Sequence, residues 1–381
     1  MPLPPEAGRI AWRSLAGCAL VLTAACGGSD AGGGGGGDTL YIGVAAAMTE
    51  AARPYFSGVE LAVAALNAQR PSSARPFGVR RPPAEQPTQV SVAIALRDDP
   101  SVIGVVGHTG SAQTLEAAPV YGDVAGDGAN GVVAITPTAT NPLVTRAGDW
   151  VFRVCPTDLD GARAIAAYAA DSLHARRAAV IYRNDLFGRG YTRAFAPVFV
   201  EAGGEVTERD PYLAGITEFE AYALRIARQG VDALVVAGGA TDAVEITRAI
   251  RAAGSRPHIL GTDDLAALTT DSVAVREYGD VRYTSFFVAD RAATDAARAF
   301  VRDYTGRFGQ VPDHRAALSY DAAMLIGLAA LEVGPGRRRI RDRVAATGRE
   351  RPAYQGVTGE IRFDETGDAV GKTVLVVPVA R

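Results

Sequence analysis

Short apolar runs alternate with stretches of helical periodicity along most of this chain. The runs predict β-strands at 40–45, 102–106, 132–135, 178–182, 233–237, 258–260, 359–363 and 373–378. The stretches between them predict helices at 56–67, 90–96, 112–121, 160–173, 188–201, 219–229, 242–253, 291–308 and 319–333. Such alternation favours βαβ crossovers and parallel sheets that are covered by helices on both faces. The pattern therefore predicts an α/β fold of two lobes with a cleft between them.

Two features of the pattern locate a loop and the lobe boundaries. Residues 70–87 contain five prolines, and we interpret this segment as a loop because proline lacks a backbone donor. The first boundary between the lobes lies near residue 158. The later points at which the chain crosses between the lobes are inferred from the pattern of strands and helices alone. The first lobe is predicted to comprise 39–157 plus 288–357, and the second lobe 158–287 plus 358–381.

Composition narrows the class of protein. Of the 381 residues, 48% are hydrophobic and 21% are charged, as in ordinary soluble globular chains. A net charge of −3 argues against a nucleic-acid-binding surface and against a polybasic membrane patch. No second long apolar run follows the N-terminal one, so no transmembrane helix is predicted.

The N-terminal segment has the pattern of an export signal. Arg9 and Arg13 precede an apolar run, 16–25, that is too short to span a bilayer. Small residues before Cys26 are typical of a bacterial lipoprotein. We therefore predict a signal peptide over 1–25, lipidation of Cys26 and attachment of the exported protein to a membrane of the cell envelope.

The cysteines and the glycines after the signal refine this prediction. Residues 26–38 are rich in glycine and predict a flexible linker. The three residues before Cys18 match the lipoprotein cleavage pattern better than those before Cys26 do, but no apolar run precedes Cys18. A secreted protein without a lipid anchor is the alternative. After lipidation of Cys26 only Cys155 remains as a thiol, so no disulfide can form within the chain and Cys155 is predicted to be buried.

Two segments after first-lobe strands carry candidate binding chemistry. Gly104–Ser111 ends a predicted strand and opens a helix, whose free N–H groups can receive an anion beside the Ser111 hydroxyl. Two other interpretations of this segment are a dinucleotide-binding motif, for which the glycine spacing is wrong, and a simple tight turn. Thr136–Pro142 follows the next strand and should border the same cleft, where it could bind a zwitterion or form an ordinary turn.

Two segments after second-lobe strands complete the set. Phe187 could form an aromatic wall of the binding site or simply pack in the core. Asp263 could pair with a ligand ammonium or cap the helix that follows it. The four histidines lack metal-ligand spacing, and no Gly-x-Ser-x-Gly motif is present. We therefore predict neither an enzyme nor a metal or cofactor site, and we expect His108 to be structural.

Taken in order, these segments resemble the leucine/isoleucine/valine-binding protein family, the type I periplasmic substrate-binding proteins of ABC importers. The matching segments are 42–45, 102–108 with Ser111, 136–142, 152–153, 187–188, 238–239, 319–322 and 363–368. The resemblance implies two Rossmann-like lobes, joined by a three-segment hinge, that close on a small ligand. Family ligands are mostly free α-amino acids, sometimes related carboxylates, and an ABC permease receives them.

The resemblance also implies roles for single residues. Ser111 matches the serine that holds the ligand carboxylate. Thr138 and Thr140 match positions whose backbone and hydroxyl groups contact the carboxylate and the ammonium. Asp263 occupies the position of the acid that pairs with the ammonium, and Asp158 that of a second acid in many relatives.

Other positions bear on specificity. Phe187 matches the aromatic residue that covers the ligand in the family. The segment 69–96 departs from the family, because the strand that relatives have there is not recognisable in this sequence. Arg315 falls where relatives place an apolar or aromatic ligand contact. If Arg315 enters the cleft, the ligand should carry a polar or acidic group; the alternative is an outward-directed ion pair with Asp313.

The sequence therefore predicts a solute-binding lipoprotein that delivers a small amino acid or related carboxylate to an ABC permease. A sensor that reports the ligand to another membrane partner is the competing function. An extracellular hydrolase is a third, although the sequence contains no visible nucleophile–base pair.

Overall fold

The computed structural model describes residues 39–83, 88–270, 272–278 and 280–380. The predicted signal peptide, Cys26 and the whole glycine-rich linker lie outside these ranges. Within them, the chain forms two large, mainly parallel sheets that are flanked by helices, together with a two-stranded hairpin. This architecture confirms the predicted α/β fold class.

The first sheet is parallel throughout. Its strands are β1 (Leu40–Ala45), β2 (Phe77–Arg80), β3 (Val102–Gly107), β4 (Ala134–Thr136) and β5 (Val151–Arg153). The helices between them are α1 (Arg53–Gln69), α2 (Gln89–Asp98) and α3 (Ser111–Tyr121). The strand order is β2-β1-β3-β4-β5, and β3 is buried along its whole length, as a central strand covered on both faces should be.

β2 lies inside the proline-rich segment, so the prediction of a continuous loop there is wrong. Phe77 is buried, and the Asn67 side chain donates to its carbonyl at 2.9 Å and accepts from its N–H at 2.8 Å. The prolines flank this strand, which lies at the sheet edge, where a missing donor costs least.

The second sheet is built from the middle of the chain. Its strands are β6 (Arg177–Arg183), β7 (Glu205–Tyr212), β8 (Ala233–Ala237), β9 (His258–Gly261) and β10 (Arg282–Ser285). The α-helices of this region are α4 (Asp158–Ala167), α5 (Leu186–Glu201), α6 (Glu220–Gln229), α7 (Ala240–Ala252) and α8 (Ser272–Tyr278). A short 3₁₀-helix, Asp263–Thr270, follows β9.

The last part of the chain contributes to both lobes. It contains α9 (Asp295–Phe308), α10 (His314–Val333), α11 (Arg337–Ala345), β11 (Tyr354–Gly356), β12 (Gly359–Ile361) and β13 (Leu375–Pro378). β11 pairs with β12 as a hairpin, while β13 joins the second sheet antiparallel to β10. The order of the second sheet is β13-β10-β9-β8-β6-β7.

The chain passes between the sheets three times, after β5, after β10 and before β13. The third crossing lies later than the sequence predicts, because residues 358–369 stay with the first lobe. Phe363 packs on Phe152 with ring centroids 5.2 Å apart, and a backbone bridge joins Arg153 to Asp368. The apolar residues of this segment thus complete the first-lobe core.

Among the described helices, α10 is long and apolar enough to span a membrane. Its mean hydropathy is 1.5, and 72% of its most apolar window is buried inside the protein. α10 packs against α1, where a side chain at Gly58 would lie 2.2 Å from the Ala316 carbonyl oxygen. Its apolar composition is therefore that of a core helix.

Candidate functional site

A cavity lies between the lobes at the carboxyl ends of strands from both sheets. Its volume is about 270 Å³, and it is lined by Tyr55, Thr109, Gly110, Ser111, Ala112, Gln113, Thr138, Thr140, Arg183, Asp185, Leu186, Phe187, Asp263 and Asp264. The lining segments follow β3, β4, β6 and β9, apart from Tyr55 in α1. Open α/β sheets bind ligands at this position.

A larger hollow of about 400 Å³ lies beside α1, and no described second-sheet strand or following loop contributes to its lining. The charged residues that line it pair with each other, Arg53 with Glu50 at 3.1 Å and Arg81 with Glu60 at 2.6 Å. These pairs leave no unpaired charge among the lining residues to orient a ligand. We therefore place the candidate site in the cavity between the lobes.

The first-lobe side of the cavity presents hydrogen-bond donors. α3 begins at Ser111, after Gly110, which has no side chain to cap the helix. The first N–H groups of a helix lack acceptors within it and carry partial positive charge. The Ser111 hydroxyl accepts from the Asn141 N–H at 3.2 Å, which leaves its own hydrogen for a ligand. This end is suited to a carboxylate.

Thr138 and Thr140 lie on the loop after β4. The Thr138 hydroxyl donates to the Thr109 carbonyl at 2.7 Å, so the Tyr55 hydroxyl, 3.0 Å away, donates to Thr138. Thr138 therefore holds Tyr55 and its own loop in place. The Thr140 carbonyl accepts from the Asp158 N–H at 2.9 Å, and its side chain borders the cavity.

The second-lobe side of the cavity is acidic. Asp263 is 6% exposed, whereas the adjacent Asp264 is exposed within the cleft, and both line the cavity. Burial and the neighbouring carboxylates of Asp264 and Asp158 raise the pKa of Asp263 well above its ordinary value. Burial also raises the pKa of Asp264, although Arg183 and Arg315 oppose the effect. A bound cation would relieve this repulsion.

Asp158 lies behind this wall and not on the cavity lining. It is 2% exposed, and within the described structure neither carboxylate oxygen accepts a hydrogen bond of normal geometry. Burial raises its pKa to about 6, while the nearby Thr140 side chain and Arg153 lower it. Since a buried carboxylate without a partner is costly, a cation held at Asp263 would stabilise Asp158 as well.

Phe187 lies between the cavity and the core of the second lobe. It lines the cavity and also packs against the second-lobe core, with its ring 6.1 Å from that of Tyr191. Tyr191 is 1% exposed, and its hydroxyl has no partner among the described residues. The charges of Asp263 and Asp158 contribute to the raised pKa of Tyr191, after burial. Sequence reasoning missed Tyr191 because its pattern is that of a core residue.

Arg315 is not among the residues that line the cavity. Its Nε and Nη2 atoms lie 2.7 and 2.5 Å from Asp313 Oδ2, and its Nη1 donates to the Ala51 carbonyl at 2.9 Å. The alternative of a pair with Asp313 is therefore confirmed, but its outward direction is wrong. Both side chains are only 10% exposed, because Asp313 also caps the buried start of α10.

His108 and Cys155 have structural surroundings, as predicted. His108 Nδ1 lies 2.8 Å from Gln89 Oε1, and Nε2 lies 2.8 Å from the Tyr121 hydroxyl. Burial lowers the pKa of His108 to about 4, so the ring is neutral and both nitrogens are satisfied. Cys155 is a buried free thiol whose pKa is raised by burial.

Comparison with known proteins assigns this arrangement to a family. A sequence model of periplasmic binding proteins matches residues 39–380. The chain belongs to the periplasmic binding protein family. Membership implies export to the periplasm, and the relatives named below are binding proteins, not enzymes.

Three relatives illustrate the similarity. A Leu/Ile/Val/Thr-binding protein of Salmonella typhimurium is 27% identical over 283 residues, 71% of this chain and 76% of the relative. A leucine binding protein from Thermotoga maritima superposes with a TM-score of 0.77 at 27% identity, over 90% of this chain and 96% of that one. A branched-chain amino acid transporter substrate binding protein from Streptococcus pneumoniae, in complex with isoleucine, gives 0.78 at 25% identity, over 89% and 95%. These relatives confirm the resemblance.

Sequence reasoning assigned no role to several lining residues, among them Tyr55, Arg183 and Asp264. Arg183 ends β6 and pairs with Asp185 at 2.5 Å and with Asp242 at 3.7 Å. The signal for Asp264 was available, since an acidic doublet directly follows a predicted strand. Tyr55 carries no such signal, because only the packing of α1 brings it to the cavity. No group of His, Cys, Asp and Glu in the described ranges is arranged to hold a metal ion.

Proposed function

We propose that this protein is a solute-binding lipoprotein that captures a small amino acid between its lobes and delivers it to an ABC permease. One observation carries the proposal: the two sides of the cavity are suited to opposite charges of a ligand. The start of α3 with Ser111 is suited to a carboxylate, and Asp263, with Asp158 behind it, is suited to an ammonium. Relatives named for leucine, isoleucine and valine binding support it.

The proposed mechanism couples binding to closure of the lobes. Ser111 and Thr140 belong to the first lobe, and Asp263 and Phe187 to the second, so a ligand makes all its contacts only when the cleft is shut. Ligand would therefore shift an open–closed equilibrium towards the closed form. The permease would then recognise the closed form, and the predicted lipid at Cys26 would keep the protein near the membrane.

Calorimetry with a panel of free amino acids tests this function. We expect at least one amino acid to bind, and Asp263→Asn to weaken that binding about tenfold or more, because the ammonium loses a charged partner. The melting temperature should hold or rise, since a buried charge is removed.

Asp149→Asn serves as the matched control, because Asp149 is exposed and outside the cavity. Its affinity should equal that of the wild type. Absence of binding by every amino acid, or normal binding by Asp263→Asn, would contradict the proposed function.

A further inference from the structure

The cavity carries more negative charge than a zwitterionic ligand needs. Asp263 and Asp264 line its second-lobe side, and the carboxylate of Asp158 lies behind them. Within the described residues, no Arg, Lys or His nitrogen lies within 4.0 Å of these carboxylates. Asp263 is only 6% exposed, yet its carboxylate borders the cavity and has no hydrogen bond from another described residue.

The nearest cations are paired elsewhere. Arg183 is opposed by Asp185 at 2.5 Å and by Asp242 at 3.7 Å. Arg315 is held by Asp313 at 2.5 Å, inside the protein. Arg183 and Arg315 lower the pKa of Asp264 from a distance, but neither forms an ion pair with Asp263 or Asp264, so a direct cationic partner has to come from the ligand.

Two adjacent carboxylates, Asp263 and Asp264, form the acidic wall of the cavity. The nearly buried Asp263, with Asp158 behind it, is the one assigned to the ligand ammonium. If the main-chain groups of an amino acid occupy Ser111 and Asp263, Asp264 is the lining carboxylate that remains for its side chain.

We infer that the ligand is an amino acid whose side chain carries a second positive charge, as in lysine, ornithine or arginine. This inference rests on the proposed function, which assigns the α-carboxylate to α3 and the α-ammonium to Asp263. An aliphatic side chain would leave Asp264 without a partner when the cleft closes and excludes water, and that burial is unfavourable. A side-chain cation forms a charge-assisted hydrogen bond there instead.

Calorimetry on the full-length chain, purified in detergent, compares L-lysine and L-arginine with L-norleucine, which has the carbon stem of lysine without its ammonium. We expect the better basic ligand to bind about 30-fold more tightly than norleucine, the gain of one hydrogen bond to a charged group. Equal or tighter binding of norleucine overturns this inference and leaves the proposed function intact. Absence of binding by lysine, arginine, norleucine and leucine overturns both.

A variant locates the charge that selects the ligand. Asp264→Asn should weaken binding of the basic amino acid about tenfold while norleucine binding changes less than about twofold. Asp149→Asn, the exposed control, should change neither. Equal losses for both ligands, or no loss for either, overturn the inference. Asp264 is exposed in the cleft, so the variant should fold, and Asp264→Ser repeats the test with a different side chain.

Discussion

At the scale of single residues, the Ser111 hydroxyl connects the loop after β4 to the start of α3. It accepts from the Asn141 N–H at 3.2 Å and retains a hydrogen for the ligand. Ser111→Ala should weaken amino-acid binding by about 1.5–3 kcal/mol, the usual contribution of a hydrogen bond to a charged group. Calorimetry measures this loss. Ser72→Ala, at an exposed serine, is the control, and a Ser111→Ala protein with wild-type affinity would place the carboxylate elsewhere.

Asp158 predicts a pH dependence for the empty protein. Burial raises its folded-state pKa to about 6, from an ordinary value of 3.8. Between these values the folded protein retains a proton that the unfolded chain has lost, so stability falls as pH rises from about 4 to about 6. Asp158→Asn removes this contribution and should stabilise the empty protein at pH 7 by roughly 1–3 kcal/mol.

Urea denaturation at pH 4, 5, 6 and 7 checks that expectation. The unfolding free energy of the wild type should fall more steeply between pH 4 and 6 than that of Asp158→Asn. Parallel pH profiles of the two proteins would mean that the Asp158 carboxylate has a partner in solution.

At the scale of elements, β5 contributes to the site through Arg153 at its end. Arg153 is fully buried, donates to the carbonyls of Ala139 and Asn141 at 3.2 and 2.7 Å, and pairs with Asp368. It thereby connects the loop of Thr140 to the segment before the third crossing. Arg153→Met should lower the unfolding free energy by about 3–5 kcal/mol, because Asp368 loses its buried partner.

The double variant Arg153→Met/Asp368→Asn separates stability from binding. Removal of both charges should restore part of the stability, as measured by urea denaturation. In both the single and the double variant, ligand affinity should be lower than in the wild type, because the Ala139 and Asn141 carbonyls lack their donor. Wild-type affinity in the double variant would show that Arg153 does not position the loop.

The sequence predicts well those strands whose own residues form a continuous apolar run. β3 and β8 are buried at every position, and apolar runs mark both. β7 is different, since Glu205–Tyr212 is largely polar and lies at the sheet edge. Its strand conformation depends on parallel pairing with β6, a contact between distant parts of the chain. Periodicity within β7 carries no trace of that contact.

At the scale of the whole molecule, attachment to the membrane is the main prediction. Cys26→Ala should abolish labelling by radioactive palmitate and release the protein from membranes, because the lipid-accepting thiol is lost. Cys18→Ala is the matched control and should remain labelled and membrane-bound. Continued labelling of Cys26→Ala would contradict the assignment of the anchor.

The sequence by itself determined the α/β class, the family and the segments that border the cleft, because strand burial and turn chemistry leave local patterns. Tertiary structure alone decided how charge is arranged in the site. Asp158 and the doublet Asp263–Asp264 come from separate segments, and only packing of the second lobe brings them together. The same holds for Arg315, whose pairing with Asp313 and Ala51 removes it from the cavity. Electrostatic partners depend on distance in space, which no periodicity along the chain encodes.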